Sequence, residues 1–172
     1  LLIDGEEVTA RLLRIVFEPS AIARLLRSAD LPVWGANRPG LLVWIAIADR
    51  DGRRLVGDSD SSRLVTHLQT HATLRGVPLL FPLLDLEDAT ALTSAEVWGA
   101  FLDRVDDASR RYDPDSVATG RVQVREDGRW SASWGYRVGD SWRVFDALAF
   151  SANDLAREFV NQVADDMAAR FA

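Results

Sequence analysis

Residues 41–48 read LLVWIAIA, an apolar run that indicates a buried strand. The run is too short for a typical helix and is rich in the branched and aromatic residues that strands favour. Asp51-Gly52 follows as a hairpin-type turn signal and leads to a short strand, Arg54 to Val56. The run therefore predicts a buried strand within a sheet.

The segments on either side of this run carry the signals of further elements. We expect a strand at Arg11–Phe17, and Pro19 suits the first turn of a short helix because its missing N–H has no partner there anyway. Ser59–Ser62 offers caps for a second helix that Gly76 ends. Leu79–Leu84 is a second short apolar strand, which we expect to neighbour the run at residues 41–48.

The C-terminal part of the chain predicts a helix, three strands and a final helix. Thr93 and Glu96 form a capping box, in which each side chain satisfies the other's backbone N–H, and the helix behind it should continue to Ala108. Ser151 caps the last helix. The three strands, joined by tight turns, are Val117–Arg125, Arg129–Val138 and Trp142–Phe150.

Together these signals predict an α/β fold. We expect a mixed sheet of five or six strands with packed helices and a C-terminal antiparallel meander followed by a helix. The 172 residues suit a single domain over residues 1–172. Because the chain starts at Leu1 and not at Met, we also expect it to be part of a longer precursor.

The composition excludes several classes of function. The formal net charge is −6, whereas a nucleic-acid binder needs a concentrated basic surface, so no nucleic-acid partner is expected. The chain has no Cys and no Lys, which rules out thiol catalysis, Cys-based metal sites and lysine nucleophiles. We expect no cofactor and no metal, and no apolar run reaches the ~20 residues of a membrane helix.

Two histidines have a spacing that metal sites use. His67 and His71 lie four residues apart on a predicted helix, as in H-E-x-x-H sites, but the general-base Glu is missing. We interpret them as a partly exposed structural pair. Gly57-Asp58-Ser59-Asp60 resembles the nucleophile block of GDSL-type esterases, but no His occurs after His71, so Ser59 is interpreted as a helix cap.

A second possible site combines a cation with carboxylates. Pro39 biases Arg38 to an extended backbone, so the loop WGANRPG at residues 34–40 presents one positioned cation, which Trp34 covers from water. Arg38 is expected to hold the carboxylate of Asp85, shielded from water, or else to bind an anionic ligand. The acidic cluster of Asp85, Glu87 and Asp88 would suit Mg²⁺ or Ca²⁺, but its spacing lacks a regular metal-binding loop, so we interpret it as a solvated loop or an acidic lead-in to the next helix.

Three stretches carry a resemblance to a known family. LPVWGANRPGLLVWIAI, RGVPLLFPLLDLEDA and ASRRYDPDSVATGRV, followed by WSASW, resemble an uncharacterised bacterial family catalogued as domain of unknown function 2066. The resemblance implies a periplasmic or exported protein and carries over no catalytic residue. ASRRYDPDSVATGRVQV also has a topological likeness to TolB amino-terminal-like envelope lipoprotein domains.

Two functions remain open at this point. The first is a non-enzymatic domain of the bacterial envelope that binds a protein or a cell-wall component, with no catalytic residues. The second is a small hydrolase or metal-dependent enzyme that would use Asp85, Asp88, His67 or His71. A converged polar pocket around those residues would favour the enzyme.

Overall fold

The computed structural model describes residues 2–3, 6–7, 14–30 and 38–171. The chain forms two compact units, residues 1–33 with Ala172, and Trp34–Phe171. In the first unit, β1 (Leu2–Ile3) pairs antiparallel with β2 (Glu6–Glu7), and α1 (Pro19–Ser28) begins at the proline. The strand expected at Arg11–Phe17 is wrong for residues 14–17, which are exposed and pair with no strand. The single domain over the whole chain stays a prediction.

The second unit contains a mixed sheet of six strands, which confirms the predicted α/β fold class. The order is β4-β3-β6-β7-β8, and β5 lies beside the first residues of β3. β3 is parallel to β5 and β6, while β6, β7 and β8 form the antiparallel meander. The strands are β3 (Leu41–Asp49), β4 (Gly52–Val56), β5 (Leu79–Leu80), β6 (Ser116–Val124), β7 (Trp130–Val138) and β8 (Ser141–Ala149).

Helices of very different length surround this sheet. Two of them are long, α2 (Arg63–Arg75) and α6 (Ala152–Phe171), and the last follows the meander as predicted. Between them lie α3 (Leu86–Ala91), α4 (Ser94–Trp98), α5 (Leu102–Ser109) and a 3-10 turn at Arg110–Tyr112.

The predicted caps are confirmed at two helices and wrong at one. Thr93 and Glu96 form the capping box, and Ser151 accepts a hydrogen bond from the Asp154 N–H at 3.1 Å. Ser59 does not cap α2, because the N-cap position falls at Ser62, and the Asp60 side chain accepts from the Ser62 N–H at 2.7 Å. Cap-type residues are too frequent between 58 and 62 for sequence to choose among them.

The helix expected from the capping box to Ala108 is broken in two. Ala100 has φ of +55°, which reverses the chain after α4, so α5 starts anew at Leu102. Gly99, the C-cap residue of α4, marks this break in the sequence. The consequence is a set of short helices that can follow the sheet surface instead of one long helix.

The two faces of the sheet are covered unequally. α2 and α6 pack on one face, where Trp134 of β7 lies tilted on Phe159 of α6 with ring centroids 4.2 Å apart. On the other face, the short helices cover β3 and the beginning of β6 around Trp44 and Val117. The side chains further along β6, β7 and β8 on this second face lack such a helical cover, and they include exposed polar residues.

Candidate functional site

The first candidate site is a cluster of two aspartates with one arginine. Asp85 caps α3, because its Oδ1 accepts from the Asp88 N–H at 3.0 Å. Arg111, in the 3-10 turn after α5, donates from Nη1 to Asp85 Oδ1 at 2.7 Å and from Nη2 to Asp85 Oδ2 at 2.8 Å. This bidentate geometry gives an arginine–carboxylate pair its strength and its fixed orientation.

Asp88 is completely buried, and protein groups satisfy both of its oxygens. Oδ1 accepts from Arg111 Nη1 at 3.0 Å. Oδ2 accepts from the Tyr112 hydroxyl at 2.5 Å and from the Leu84 N–H at 2.8 Å. Both carboxylates are thus engaged by groups of the protein itself, as a structural cluster requires.

The proton affinities of this cluster follow from its contacts. The hydrogen bonds from Arg111 hold the pKa of Asp85 well below its usual range. The same contacts with Asp85 raise the pKa of the Arg111 guanidinium. Burial, and then the hydrogen bond to Asp88, raise the pKa of Tyr112 to about 12. Asp85 and Tyr112 therefore remain carboxylate and neutral phenol at pH 7.

Asp85 has a different cation from the expected one, because Arg111 occupies both of its oxygens. Arg38 instead donates from Nη1 to the Arg75 and Gly76 carbonyl oxygens, each at 3.1 Å, at the end of α2. The expected pair of Arg38 with Asp85 was therefore wrong. Trp34, which was expected to cover it, lies outside the described residues.

Strand direction explains why Arg38 and Asp85 lie apart. β3 and β5 are neighbours, as predicted, with Leu41 opposite Leu79. They run parallel, so the segments that precede them lie together, and the Leu41 N–H donates to the Pro78 carbonyl at 2.8 Å. Asp85 follows β5 and therefore belongs to its other end. An antiparallel pair would have brought Arg38 and Asp85 to one end of the sheet.

The two histidines are partly exposed, and one of them connects two helices. His71 Nε2 lies 3.0 Å from Asn153 Oδ1, which joins α2 to α6. His67 is one helical turn earlier on α2 and is also half-buried. In the parts of the chain that the structure describes, no three His, Asp or Glu side chains form a group that suits a metal ion. The four residues of the alternative enzyme are thus not gathered into one pocket.

A second candidate site lies on the uncovered part of the sheet, and we call it the open-face groove. It has a volume of about 500 Å³. Its polar lining side chains come from three adjacent strands and from Arg125, which directly follows β6, and one aromatic and one apolar side chain complete the lining. The lining side chains include Trp98, Arg121, Gln123, Arg125, Ser131, Ser133, Asp146 and Leu148.

Most polar side chains in the open-face groove have no partner among the residues that the structure describes. Arg125 Nε contacts Ser131 Oγ at 3.5 Å, at the limit of a hydrogen bond. Within the described residues, the side chains of Arg121, Gln123 and Asp146 make no hydrogen bond or ion pair. Arg121, Ser133 and Asp146 lie opposite one another on β6, β7 and β8, so they form one row across the groove.

Sequence reasoning missed both Arg111 and the open-face groove. Arg111 lies within RRYD, the end of a helix, and nothing local connects it to Asp85, 26 residues earlier. The groove did have a signal, because β6 alternates apolar residues with Thr119, Arg121 and Gln123. Such alternation predicts a polar sheet face, although it does not say whether a helix covers it.

Comparison with known proteins adds no further constraint. The chain matches no protein-family model and no curated protein. The resemblance to the family catalogued as domain of unknown function 2066 therefore stays a prediction. Among the described helices, none is both long enough and apolar enough to cross a bilayer.

Proposed function

We propose that the chain is a non-enzymatic binding module of the bacterial envelope and that it recognises its partner, a protein or a cell-wall component, through the open-face groove. The envelope setting rests on the family resemblance seen in the sequence. The observation that carries the proposal is the contrast between the two candidate sites. In the cluster of Asp85, Asp88 and Arg111, groups of the protein itself hydrogen-bond both carboxylates. The open-face groove, in contrast, presents polar side chains to solvent.

The satisfied site is poorly suited to chemistry. A general acid, base or metal ligand needs a lone pair or a proton that substrate can reach. Asp88 is 0% exposed, and both of its oxygens accept hydrogen bonds from the protein. Asp85 is occupied by Arg111 on both oxygens. These contacts favour a structural role for the cluster over the hydrolytic alternative.

The open-face groove is suited to recognition. Its volume of about 500 Å³ falls in the range of ligand pockets. The apolar surfaces of Trp98 and Leu148 border it, and the row of Arg121, Ser133 and Asp146 offers both donors and acceptors. Mixed apolar and polar lining of this kind supplies affinity and orientation together.

Capture from envelope extracts tests this function. The immobilised chain should retain a component that the Arg121→Glu variant loses, because the reversed charge removes the cation from the centre of the groove. Arg50→Glu is the matched control. Arg50 is an exposed arginine in the turn between β3 and β4, and its substitution changes the net charge by the same amount. Circular dichroism should verify that both variants are folded.

Two results of this experiment would contradict the proposal. If the wild-type chain retains nothing, or if Arg121→Glu retains the same component as Arg50→Glu, the open-face groove is not the binding surface.

A further inference from the structure

The last strand of the sheet has one unpaired edge. β8 is nine residues long and, among the described strands, pairs only with β7. Its register with β7 is unbroken from Ser141 to Ala149, and it contains no Pro. Bulges and prolines are two of the devices that protect exposed edges, and β8 has neither. An edge of this kind can form main-chain hydrogen bonds with another extended chain.

The backbone groups on this edge can be assigned to residues. β7 and β8 are joined by a two-residue turn, which makes Val138 and Ser141 a hydrogen-bonded pair. Hydrogen-bonded pairs alternate along an antiparallel ladder, so every second residue after Ser141 is bonded to β7. The N–H and C=O groups of Val144, Asp146 and Leu148 therefore point away from the sheet. No backbone group of another described element bonds to them.

The side chains of the same three residues give the edge its chemistry. Val144 and Leu148 are 65% and 56% exposed, and Phe150, directly beyond the strand, is also exposed. Exposed apolar side chains along one edge mark an interaction surface. Asp146 lies between Val144 and Leu148 with its carboxylate unpaired in the described chain. Alternate side chains of a strand share a face, so all three point to the side of the open-face groove, which Asp146 and Leu148 line.

An added strand would place its own side chains directly opposite these three. Cross-strand neighbours on one face stabilise a sheet when apolar meets apolar and cation meets carboxylate. The residue opposite Asp146 should therefore be Lys or Arg, and the residues two positions before and after it should be apolar. This spacing is the same in both chain directions, so it does not depend on the direction of the added strand.

A second copy of β8 does not have this pattern. Core-facing side chains of two paired strands must share one face, so even-numbered positions of one copy would lie opposite even-numbered positions of the other. Asp146 would then face either an apolar side chain or the Asp146 of the other copy. Neither supplies a cation, and two carboxylates directly opposite each other repel. The charge at position 146 thus disfavours self-pairing and favours a basic partner.

We propose that β8 binds an extended segment of a partner protein as an added strand, in which a Lys or Arg pairs with Asp146 and apolar side chains lie on Val144 and Leu148. This inference rests on the proposed function, because it names the kind of partner that reaches the open-face groove. Glycans lack N–H and C=O groups at strand spacing, and the D-residues of cell-wall peptides would break the alternation of side chains. The occupant is therefore a protein segment.

The first experiment measures amide hydrogen exchange of the full chain labelled with ¹⁵N. The probe is acetyl-Thr-Val-Thr-Lys-Thr-Val-Thr-amide, and the matched control is the same peptide with Glu in place of Lys. The saturating Lys peptide should slow exchange of the outward N–H groups of Val144, Asp146 and Leu148 by about tenfold or more. The N–H groups of Arg143 and Phe145, which already face β7, should change less. The Glu peptide should bind about fivefold more weakly.

Three results of this experiment would overturn the proposal. The first is binding of the Lys peptide without slower exchange at the outward N–H groups, because the peptide would then lie on the face of the sheet and not at its edge. The second is equal binding of the Lys and Glu peptides. The third is self-association that grows with protein concentration while neither peptide binds, which would assign the edge to a second copy of the chain.

Two variants test the edge itself. Asp146→Lys should reverse the preference, so that the Glu peptide binds more tightly than the Lys peptide. Asp51→Lys, in the exposed turn between β3 and β4, changes the net charge by the same amount and should keep the original preference. An unchanged preference in Asp146→Lys would contradict the proposal.

Val144→Pro removes one outward N–H, a change that an edge strand tolerates because that group bonds nothing in the described chain. Binding of the Lys peptide should fall by about tenfold or more, while circular dichroism should show a folded chain. Full binding by a folded Val144→Pro would refute strand addition. If Val144→Pro does not fold, the reversed preference of Asp146→Lys decides.

Failure of this inference is distinguishable from failure of the proposed function. If the Lys peptide does not bind but Arg121→Glu still loses a captured envelope component, strand addition is wrong and the open-face groove remains the binding surface. If Arg121→Glu retains the same component as Arg50→Glu, the proposed function is wrong as well.

Discussion

Arg111 joins an accessible carboxylate to a buried one. Its Nη1 lies 2.7 Å from Asp85 Oδ1 and 3.0 Å from Asp88 Oδ1, and 43% of the Asp85 side chain is exposed against 0% of Asp88. A single guanidinium therefore ties the first residues of α3 to the turn after α5. Removing the cation would leave a buried carboxylate without its charge partner, which is the costly way to break such a pair.

A pair of double-mutant cycles tests which arginine belongs to Asp85. Arg111→Ala and Asp85→Asn should couple, so that the double variant loses less stability than the sum of the single variants. Arg38→Ala and Asp85→Asn should add, because Arg38 binds the end of α2 instead. Urea unfolding at pH 7 measures both. Coupling between Arg38 and Asp85 would mean that the pair expected from sequence exists in solution.

Tyr112→Phe tests the buried part of the cluster. The substitution removes the hydroxyl that donates to Asp88 and that accepts from the Leu83 N–H at 2.9 Å. We expect a loss of about 1–3 kcal/mol in the free energy of unfolding, because two groups lose a partner while the ring remains. Glu126→Ala, in the exposed turn between β6 and β7, is the control and should change stability by less than about 0.5 kcal/mol. A similar effect of both variants would contradict the hydrogen-bonded role of Tyr112.

The same tyrosine predicts a loss of stability at alkaline pH. Its pKa rises from 10.0 to about 12 on folding, so the folded state holds the proton more tightly. This contribution is complete below pH 10 and disappears as the pH rises through about 12. Difference absorbance between wild type and Tyr112→Phe cancels the signal of Tyr136 and should show a phenol that titrates near pH 12. A titration of Tyr112 near pH 10 would refute the prediction.

Asp85 predicts a loss of stability at acid pH. Its pKa in the folded chain lies well below the ordinary value of 3.8, mainly because of the hydrogen bonds from Arg111. The stabilisation is therefore complete well above pH 3.8 and is lost as the pH falls from there toward the folded-state pKa. Urea midpoints at pH 6, 4 and 3 should fall less steeply for Asp85→Asn than for wild type. Parallel curves would show that Asp85 does not titrate differently on folding.

Gly120→Ala tests the packing of β6 against Trp134. A Cβ at position 120 would overlap the six-membered ring of Trp134, which is fully buried and packs on Phe159. We expect a loss of about 1–3 kcal/mol in the free energy of unfolding, since the core cannot accommodate the methyl group without moving the ring. Gly40→Ala is the control, because the nearest atom to its Cβ would be 3.6 Å away. An equal effect of the two substitutions would show that Trp134 moves freely.

Local signals predicted those elements whose partners lie close in sequence. The capping box at Thr93 and Glu96 spans one turn, so both hydrogen bonds were readable from the residues. Gly76 ends α2 because a left-handed backbone, with φ of +66°, suits a residue without a side chain. The run at residues 41–48 became β3 because a strand that is buried on both faces must be apolar throughout.

Contacts between residues that are far apart in sequence could not be predicted from local signals. Arg111 and Asp85 are separated by 26 positions, and the sequence offers many other arginines as possible partners of the Asp85 carboxylate. The sequence predicted that β3 and β5 are neighbours, but it did not establish their direction, and the direction decides which loops meet. The open-face groove likewise depends on where the short helices end.

The sequence by itself determined the α/β class, the antiparallel meander and the final helix, because hydrophobic period, caps and tight turns act over a few residues. Only the tertiary structure decided that Arg111 holds Asp85 and Asp88 while Arg121 is left with no carboxylate partner in the described chain. An ion pair depends on the positions of two side chains in space, and those positions follow from strand order and direction. The residues that flank a position in the sequence do not specify strand order or strand direction.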